Sequence, residues 1–280
     1  MDDWSIRLRR AVAQQMQSLQ AAGVGQLGVP PEKLDPVAPA EVPVAPAEVP
    51  PQQAEVPPQQ AEVQVAAAAA ATTADPATTS APSPGWTEAQ ATTLLRELSE
   101  EVAACQRCEE LACTRRQTVF GVGTPTPRLC FFGEAPGFDE DQAGEPFVGA
   151  AGSLLTDIIQ KGMKLRRADV YILNVLKCRP PGNRNPEPEE IANCRPFFQR
   201  QLEILRPQFI CCLGAFAAKT LLECDLSVGR LRGKLHTYRG ENFSAQVVVT
   251  YHPAYLLRNL EEKKKTWSDI QMLMRAMEIA

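Results

Sequence analysis

The chain has 280 residues, 44% of them hydrophobic, and 29 basic against 33 acidic side chains give a formal net charge of −4. That balance excludes a protein drawn to nucleic acid or an anionic membrane by its overall charge, so any such binding must come from local patches. Nine cysteines, no export signal and no apolar run long enough to cross a bilayer point to a reducing, cytoplasmic compartment rather than a disulfide scaffold or a membrane protein.

Composition divides the chain into three stretches. Residues 1–29 place Trp4, Leu8, Val12, Met16 and Leu19 at helical spacing. This is the pattern of a short amphipathic helix, which can dock on a protein partner or can be a terminal helix of no consequence. Residues 30–85 are rich in Pro and Ala without an aromatic side chain, and a seven-residue unit, Ala47–Gln53, recurs at Ala54–Gln60 with a degenerate copy from Ala40. Paired prolines remove helix donors, so a disordered, extended linker is expected rather than a coiled coil. Residues 86–280 suit one domain. The first 86 residues hold 4 basic and 9 acidic groups, leaving 25 and 24 to the rest, so the domain itself is near neutral.

Within the domain, Thr87 and Gln90 form a capping-box start, and Leu94, Leu95, Leu98 and Val102 continue as a helical stripe ending near Cys105. Apolar runs at Leu129–Gly133, Val170–Val175, Phe209–Leu213 and Gln246–Tyr251 read as strands covered on both faces. Helical segments follow at Gly149–Gly162, Pro188–Leu205, Ala215–Glu223 and Glu261–Met277. The alternation predicts an α/β fold, a three-layer α/β/α sandwich around a central, mainly parallel four-stranded sheet. Cys130, Cys211 and Cys212 fall inside the strands as core residues. Ligands of such folds bind beyond the carboxyl ends of the strands. The polar motifs Gly133–Gly137, Asn174–Cys178 and His252-Pro253 all fall there.

Cys105 and Cys108 form a two-thiol clip at a helix end, Cys178 follows the second strand, and Cys194 comes sixteen residues later in the next helix. Thiolates suit zinc and iron–sulfur alike. A zinc ribbon usually repeats a close Cys-x-x-Cys pair, whereas the split second pair suits the wider corners of an iron–sulfur cube, so iron–sulfur is favoured and zinc stays open. The centre's role is structural, tying the first helix and the Cys178–Cys194 loop to the sheet.

The motifs run in order: Gly133-Glu-Ala-Pro-Gly137 with Phe138-Asp-Glu-Asp141, then Gly144-Glu-Pro-Phe-Val-Gly149, then Asn174-Val-Leu-Lys-Cys-Arg-Pro-Pro-Gly-Asn-Arg184, then Tyr251-His-Pro-Ala-Tyr-Leu-Leu-Arg258. With the four cysteines, this series from Cys105 to Met277 resembles the family 4, iron–sulfur uracil-DNA glycosylases. The resemblance implies a [4Fe-4S] cluster on Cys105, Cys108, Cys178 and Cys194. It also implies a monomeric enzyme that flips uracil out of DNA and hydrolyses its glycosidic bond, leaving an abasic site for base excision repair in a bacterial-type, nucleoid-associated setting.

By the same resemblance, His252 faces uracil O2, Asn174 reads the uracil edge and Phe147 stacks on the base. Glu134 positions water or supports the cationic sugar, Glu140 crowds the pyrimidine C5 position, and backbone amides around Ala135 and Gly137 donate to the base. Ordinary packing or turn-capping is the competing reading for Asn174 and Phe147. His236 reads as part of a basic loop. Leu256 fits a wedge that fills the space of the flipped base, with core packing its close competitor. Arg258, Arg230, Arg232 and Lys234, with Arg179 and Arg184, could neutralise phosphates or could be solvated surface charge. Gly229 and Gly233-Lys234 are too close for a phosphate-binding P-loop. Two alternatives remain: a relative that captures uracil-DNA tightly or covalently, and a non-catalytic iron–sulfur DNA-binding module. A basic loop carrying a histidine, associated with covalent capture, has no counterpart in Arg179–Cys194.

Overall fold

The computed structural model describes residues 86–279; the amphipathic segment and the Pro/Ala-rich linker expected before them lie outside the described residues. The domain opens on α1 (Glu88–Ala103), where the Thr87 hydroxyl accepts from the Gln90 N–H and the Gln90 side chain accepts from the Thr87 N–H, closing the expected capping box. Ala91, Leu95, Leu98 and Val102 form its buried stripe. A short α2 (Glu109–Thr114) follows.

The sheet has six strands, which corrects the expected four. They are β1 (Val122–Gly123), β2 (Leu129–Gly133), β3 (Tyr171–Asn174), β4 (Phe209–Leu213), β5 (Leu235–Arg239) and β6 (Ser244–Thr250), in the order β1-β3-β2-β4-β6-β5. The four expected strands are the parallel centre, β3-β2-β4-β6. The two additional strands pair antiparallel at the edges. Both lack the continuous apolar run that marks a doubly covered strand: β1 has two residues, and β5 alternates exposed with half-buried positions.

Between the strands lie α3 (Phe138–Ala143), α4 (Ala150–Asp157) running into a π-turn at Ile158–Gly162, α5 (Pro188–Leu205) with Pro188 in its first turn, α6 (Ala215–Leu222) and α7 (Val228–Leu231), and α8 (Pro253–Arg258) and α9 (Lys263–Ala276) follow the last strand. Alternate strand residues serve two cores. Cys130, Phe132, Leu173, Cys212 and Val249 pack with α1 and α5, whereas Phe131, Ile172, Cys211 and Val248 pack with α4 and α9. This division explains why the central strands read as unbroken hydrophobic runs. Cys130, Cys211 and Cys212 are fully buried, as expected of core thiols.

Candidate active site and sulfur centre

The parallel register brings the polar motifs to one rim. Gly133 at the end of β2 pairs with Asn174 at the end of β3, and Leu213 at the end of β4 pairs with Thr250, two residues before His252. Cross-rim hydrogen bonds fix the loops beyond: Val175 donates to the Gly133 carbonyl, Leu176 to that of Glu134, and Gly214 to that of Thr250.

Gly133 is small for a local reason. A Cβ there would run into the Asn174 side-chain oxygen and would lie 2.7 Å from the Phe147 ring. Asn174 and Phe147 therefore close over the same backbone. Asn174 is 1% exposed, and its Oδ1 has no hydrogen-bond partner among the described residues. An amide oxygen buried without a donor costs free energy on the order of 1–3 kcal/mol, and a ligand N–H at this point would recover it. Phe147 is buried and takes a positive φ of 56°, a conformation uncommon for a non-glycine residue. The carbonyl behind it leaves no room for a side chain at Gly152.

His252 caps α8, its Nδ1 accepting from the Ala254 N–H at 3.2 Å. Burial lowers its pKa to about 4, with Arg258 adding to that and Glu140 opposing it, so the ring is neutral at neutral pH. With Nδ1 accepting, the proton of the neutral ring lies on Nε2. His252 lies beside Phe147, ring centroids 5.5 Å apart.

Glu134 follows β2 directly, and burial raises its carboxyl to about 7. Glu140 in α3 has a bracing position: its carboxylate accepts from the N–H groups of Gly137, Val148 and Gly149 at 3.0–3.2 Å, locking the Gly133–Gly137 turn to the Phe147 turn. The Gly137 amide is thereby occupied, which removes it from the donors expected to face a base. A cavity of about 280 Å³ is lined by Thr220 and Tyr238, and one of about 880 Å³ by Val122, Glu145 and Arg167, whose guanidinium donates to the Phe147 carbonyl.

The four spaced cysteines share one hydrophobic core, Cys178 and Cys194 within it and Cys105 and Cys108 packed against it. None of the four is in a disulfide, and Cys178 and Cys194 are buried. Burial pushes the Cys194 thiol up to about 12, and the neighbouring Cys178 and Cys108 act in the same direction. Three N–H groups approach sulfur: Arg115 Nη1 at 3.0 Å from Cys178, the Lys177 amide at 3.4 Å from Cys194, and Asn193 Nδ2 at 3.5 Å from Cys108. Among the described residues no three side chains are grouped closely enough to hold a single metal ion. By donor chemistry, four thiols of which three receive N–H groups fit thiolate-bound iron–sulfur as they fit zinc.

Residues 120–271 match the uracil DNA glycosylase superfamily, more than half of the chain. The chain is 43% identical over 183 residues to the type-4 uracil-DNA glycosylase of Archaeoglobus fulgidus, covering 64% of this chain and 91% of that protein. It is 44% identical over 167 residues to the type-4 uracil-DNA glycosylase of Thermotoga maritima, covering 59% and 84%, and 40% identical over 183 residues to that of Sulfurisphaera tokodaii, covering 64% and 83%. The chain belongs to the uracil-DNA glycosylase superfamily, with the type-4 members.

Against that family membership, the residues expected at the DNA surface divide. Leu256 is 1% exposed and packs inward from α8, so it does not project as a wedge; its neighbour Leu257 is 42% exposed and Tyr255 is 38% exposed. The cause is helical phase, because α8 begins at Pro253 and turns position 256 toward the core. Arg232 is not an available phosphate ligand either. Its guanidinium binds both oxygens of the buried Asp269, which also accepts from the Thr250 hydroxyl and the Gly233 N–H. Arg184 is held by Glu110, Glu187 and Glu190. Arg258, Arg230 and Lys234 are exposed and pair with no acid among the described residues. His236 lies on β5 rather than in a loop, with Nε2 2.7 Å from the Leu231 carbonyl oxygen.

Sequence reasoning on this type-4 chain passed over two cations. Arg115 donates to Cys178 and to the Cys105 carbonyl. Lys177 is 1% exposed, and its Nζ donates to the Asn174 carbonyl at 2.8 Å. A signal for the second was present: Lys177 is the single charge in the apolar stretch from Val170 to Cys178.

Proposed function

We propose that the protein is a uracil-DNA glycosylase that extrudes uracil from DNA and hydrolyses the bond between uracil N1 and the sugar C1′, leaving an abasic site. The observation that carries this reading is the unpartnered Asn174 oxygen, buried beside Phe147, whose ring lies beside a neutral imidazole. Uracil offers an N–H between two carbonyl oxygens. Asn174 Oδ1 accepts from N3–H while its amide donates to O4. Phe147 supplies a face for the ring, and His252 Nε2–H donates to O2. No helix among the described residues is long and apolar enough to cross a membrane, in keeping with a cytoplasmic enzyme.

As the N1–C1′ bond lengthens, electron density moves onto the uracil oxygens and positive charge onto the sugar. A neutral His252 donor strengthens its bond as O2 becomes anionic, which is differential stabilisation of the transition state. Glu134, ionised above about pH 7, orients the attacking water or offsets the sugar's charge. Water adds at C1′, uracil leaves as the anion and is protonated, and the sugar retains a hydroxyl.

Cys105, Cys108, Cys178 and Cys194 would hold a [4Fe-4S] cluster, which when bound joins the end of α1 to β3 and α5. Arg115, the Lys177 amide and Asn193, which approach the Cys178, Cys194 and Cys108 sulfurs, would donate to the ligating thiolates. The deciding experiment is alkaline strand cleavage of a uracil-containing oligonucleotide, with the thymine-containing strand as control. Uracil-dependent cleavage is expected, and its absence with iron-replete protein would leave only the binding reading.

A further inference from the structure

Phe147 supplies the face for the base in the glycosylase mechanism above, yet its backbone is in a state that a bulky side chain seldom takes. Its φ of 56° lies in the left-handed region, where such a residue stays only when its surroundings impose it. Peptide units are planar, so the conformation at residue 147 follows from how the peptides before and after it are turned.

One half-buried side chain with no part in that mechanism grips both peptides. Arg167 opens the short 3₁₀ turn Arg167–Asp169 ahead of β3. Its Nη2 donates to the Pro146 carbonyl at 2.7 Å and to the Phe147 carbonyl at 3.1 Å, and its Nη1 donates to the Thr156 hydroxyl in α4 at 3.2 Å. Among the described residues no other hydrogen bond reaches either carbonyl. The far end of the second peptide, the Val148 N–H, donates to the Glu140 carboxylate at 3.0 Å. That peptide is therefore held between a guanidinium and a carboxylate. It has no room to swing toward α4, because the Phe147 carbonyl already fills the place of a Cβ at Gly152.

We propose that Arg167 is a positioning residue that clamps the two peptides flanking Phe147 and so keeps the ring set as a ready face for the extruded base. This rests on the glycosylase reading given under the proposed function. A ring fixed before DNA arrives spares the ordering cost at the moment of capture. The planar fork of an arginine suits two neighbouring carbonyls and a hydroxyl, whereas a lysine ammonium is a compact point charge. Arg167 also lines the cavity of about 880 Å³ with Glu145, Thr124 and Arg128, so truncating it leaves a gap that a small planar cation can enter.

The test is Arg167→Ala in the iron-replete full chain, with ~50 mM guanidinium, far below denaturing concentrations, compared against equal potassium chloride. Without its clamp the left-handed state of Phe147 is disfavoured by roughly 10- to 100-fold, so half-saturation by a uracil oligonucleotide in single turnover should rise by that factor, with the saturated rate within about threefold. Guanidinium should recover most of this loss, Arg167→Lys should lose less than Arg167→Ala, and affinity for uracil-free DNA should stay unchanged. In a Phe147→Ala background, Arg167→Ala should cost nothing further and guanidinium should restore nothing, since the two residues act as a unit. Independently of activity, amide hydrogen exchange at Val148 and Gly149 should quicken by ~10-fold or more in Arg167→Ala and slow again with guanidinium. Unchanged exchange, a loss that guanidinium does not restore, or an equal further loss in the Phe147→Ala background overturns the clamp. An equal fall in affinity for uracil-free DNA makes Arg167 a phosphate contact, and failure of both Arg167 variants to fold makes it a folding residue; either overturns it too. A wild type inactive on uracil, with the exchange changes as expected, would instead count against the glycosylase reading and leave the clamp standing.

Discussion

The rings of Phe147 and His252 lie beside each other, centroids 5.5 Å apart and planes tilted by 34°. One comes from the turn before α4 and the other from the start of α8, yet they border the same rim. Their tasks differ, so their variants should differ. Phe147→Ala should weaken uracil capture by ~10- to 100-fold, as loss of base stacking does. His252→Ala should cost ~100-fold or more in kcat, the range of a lost oxyanion donor. Single-turnover and steady-state assays separate the two. Because the imidazole is held neutral down to about pH 4, no inflection from His252 should appear in the rate between pH 5 and 9.

Glu134 should give the pH dependence instead. Burial raises its pKa from 4.5 to about 7. Between those values the folded protein holds a proton that the unfolded chain has released, so this group makes stability fall as pH rises from 4.5 to 7. The carboxylate needed near the sugar forms over the same interval, so kcat should climb toward pH 7 and level off above it. Glu134→Gln should abolish the inflection, reduce kcat by ~100-fold and raise the denaturation midpoint at pH 8 relative to wild type.

Gly133→Ala places a methyl group 2.7 Å from the Phe147 ring and against Asn174. Such overpacking costs typically ~1–3 kcal/mol. The expected result is a modest fall in denaturation midpoint and a much larger loss of uracil excision, because the displaced groups are those that hold the base. Full activity in this variant would separate Asn174 from base recognition.

Two arginines near α8 and α9 should behave in opposite ways. Arg232 grips the buried Asp269, so Arg232→Ala strands a carboxylate and should cost ~3–5 kcal/mol of stability, measured by denaturant unfolding. Arg258 is exposed. Arg258→Ala should leave stability unchanged, weaken DNA binding irrespective of sequence and reduce the salt slope of log K by ~1.

Arg115→Leu should act on the sulfur centre alone. The variant removes the N–H group directed at Cys178 and the tie to the Cys105 carbonyl. Faster loss of absorbance near ~400 nm in air, with iron released and excision intact while iron remains, is the expected outcome. Iron retention equal to wild type would make that hydrogen bond dispensable.

The centre of this fold was legible because its strands are covered on both faces: Leu129–Gly133 and Phe209–Leu213 appear with the bounds read from hydrophobicity. The edge strands were not, since two residues in β1 and the half-exposed pattern of β5 carry no such mark. Motifs at strand ends foretold the rim, because a parallel sheet sends all its carboxyl ends one way. What escaped was direction. Nothing in His-Pro-Ala-Tyr-Leu-Leu states the phase of α8, on which the burial of Leu256 depends. Likewise Arg232 is a basic residue in a basic stretch until Asp269, 37 positions away, is seen beneath it.

The short flanking strands have a consequence for the molecule's life at high concentration. Four parallel strands rich in Val, Ile, Phe and Cys would, if laid open at a border, offer a template to any other copy. Here one border is closed by the two residues Val122–Gly123 and the other by a strand that ends on Arg239. Brief or charged borders of this kind leave no long apolar ledge for a second chain to lengthen, which guards the catalytic sheet against fibrous growth.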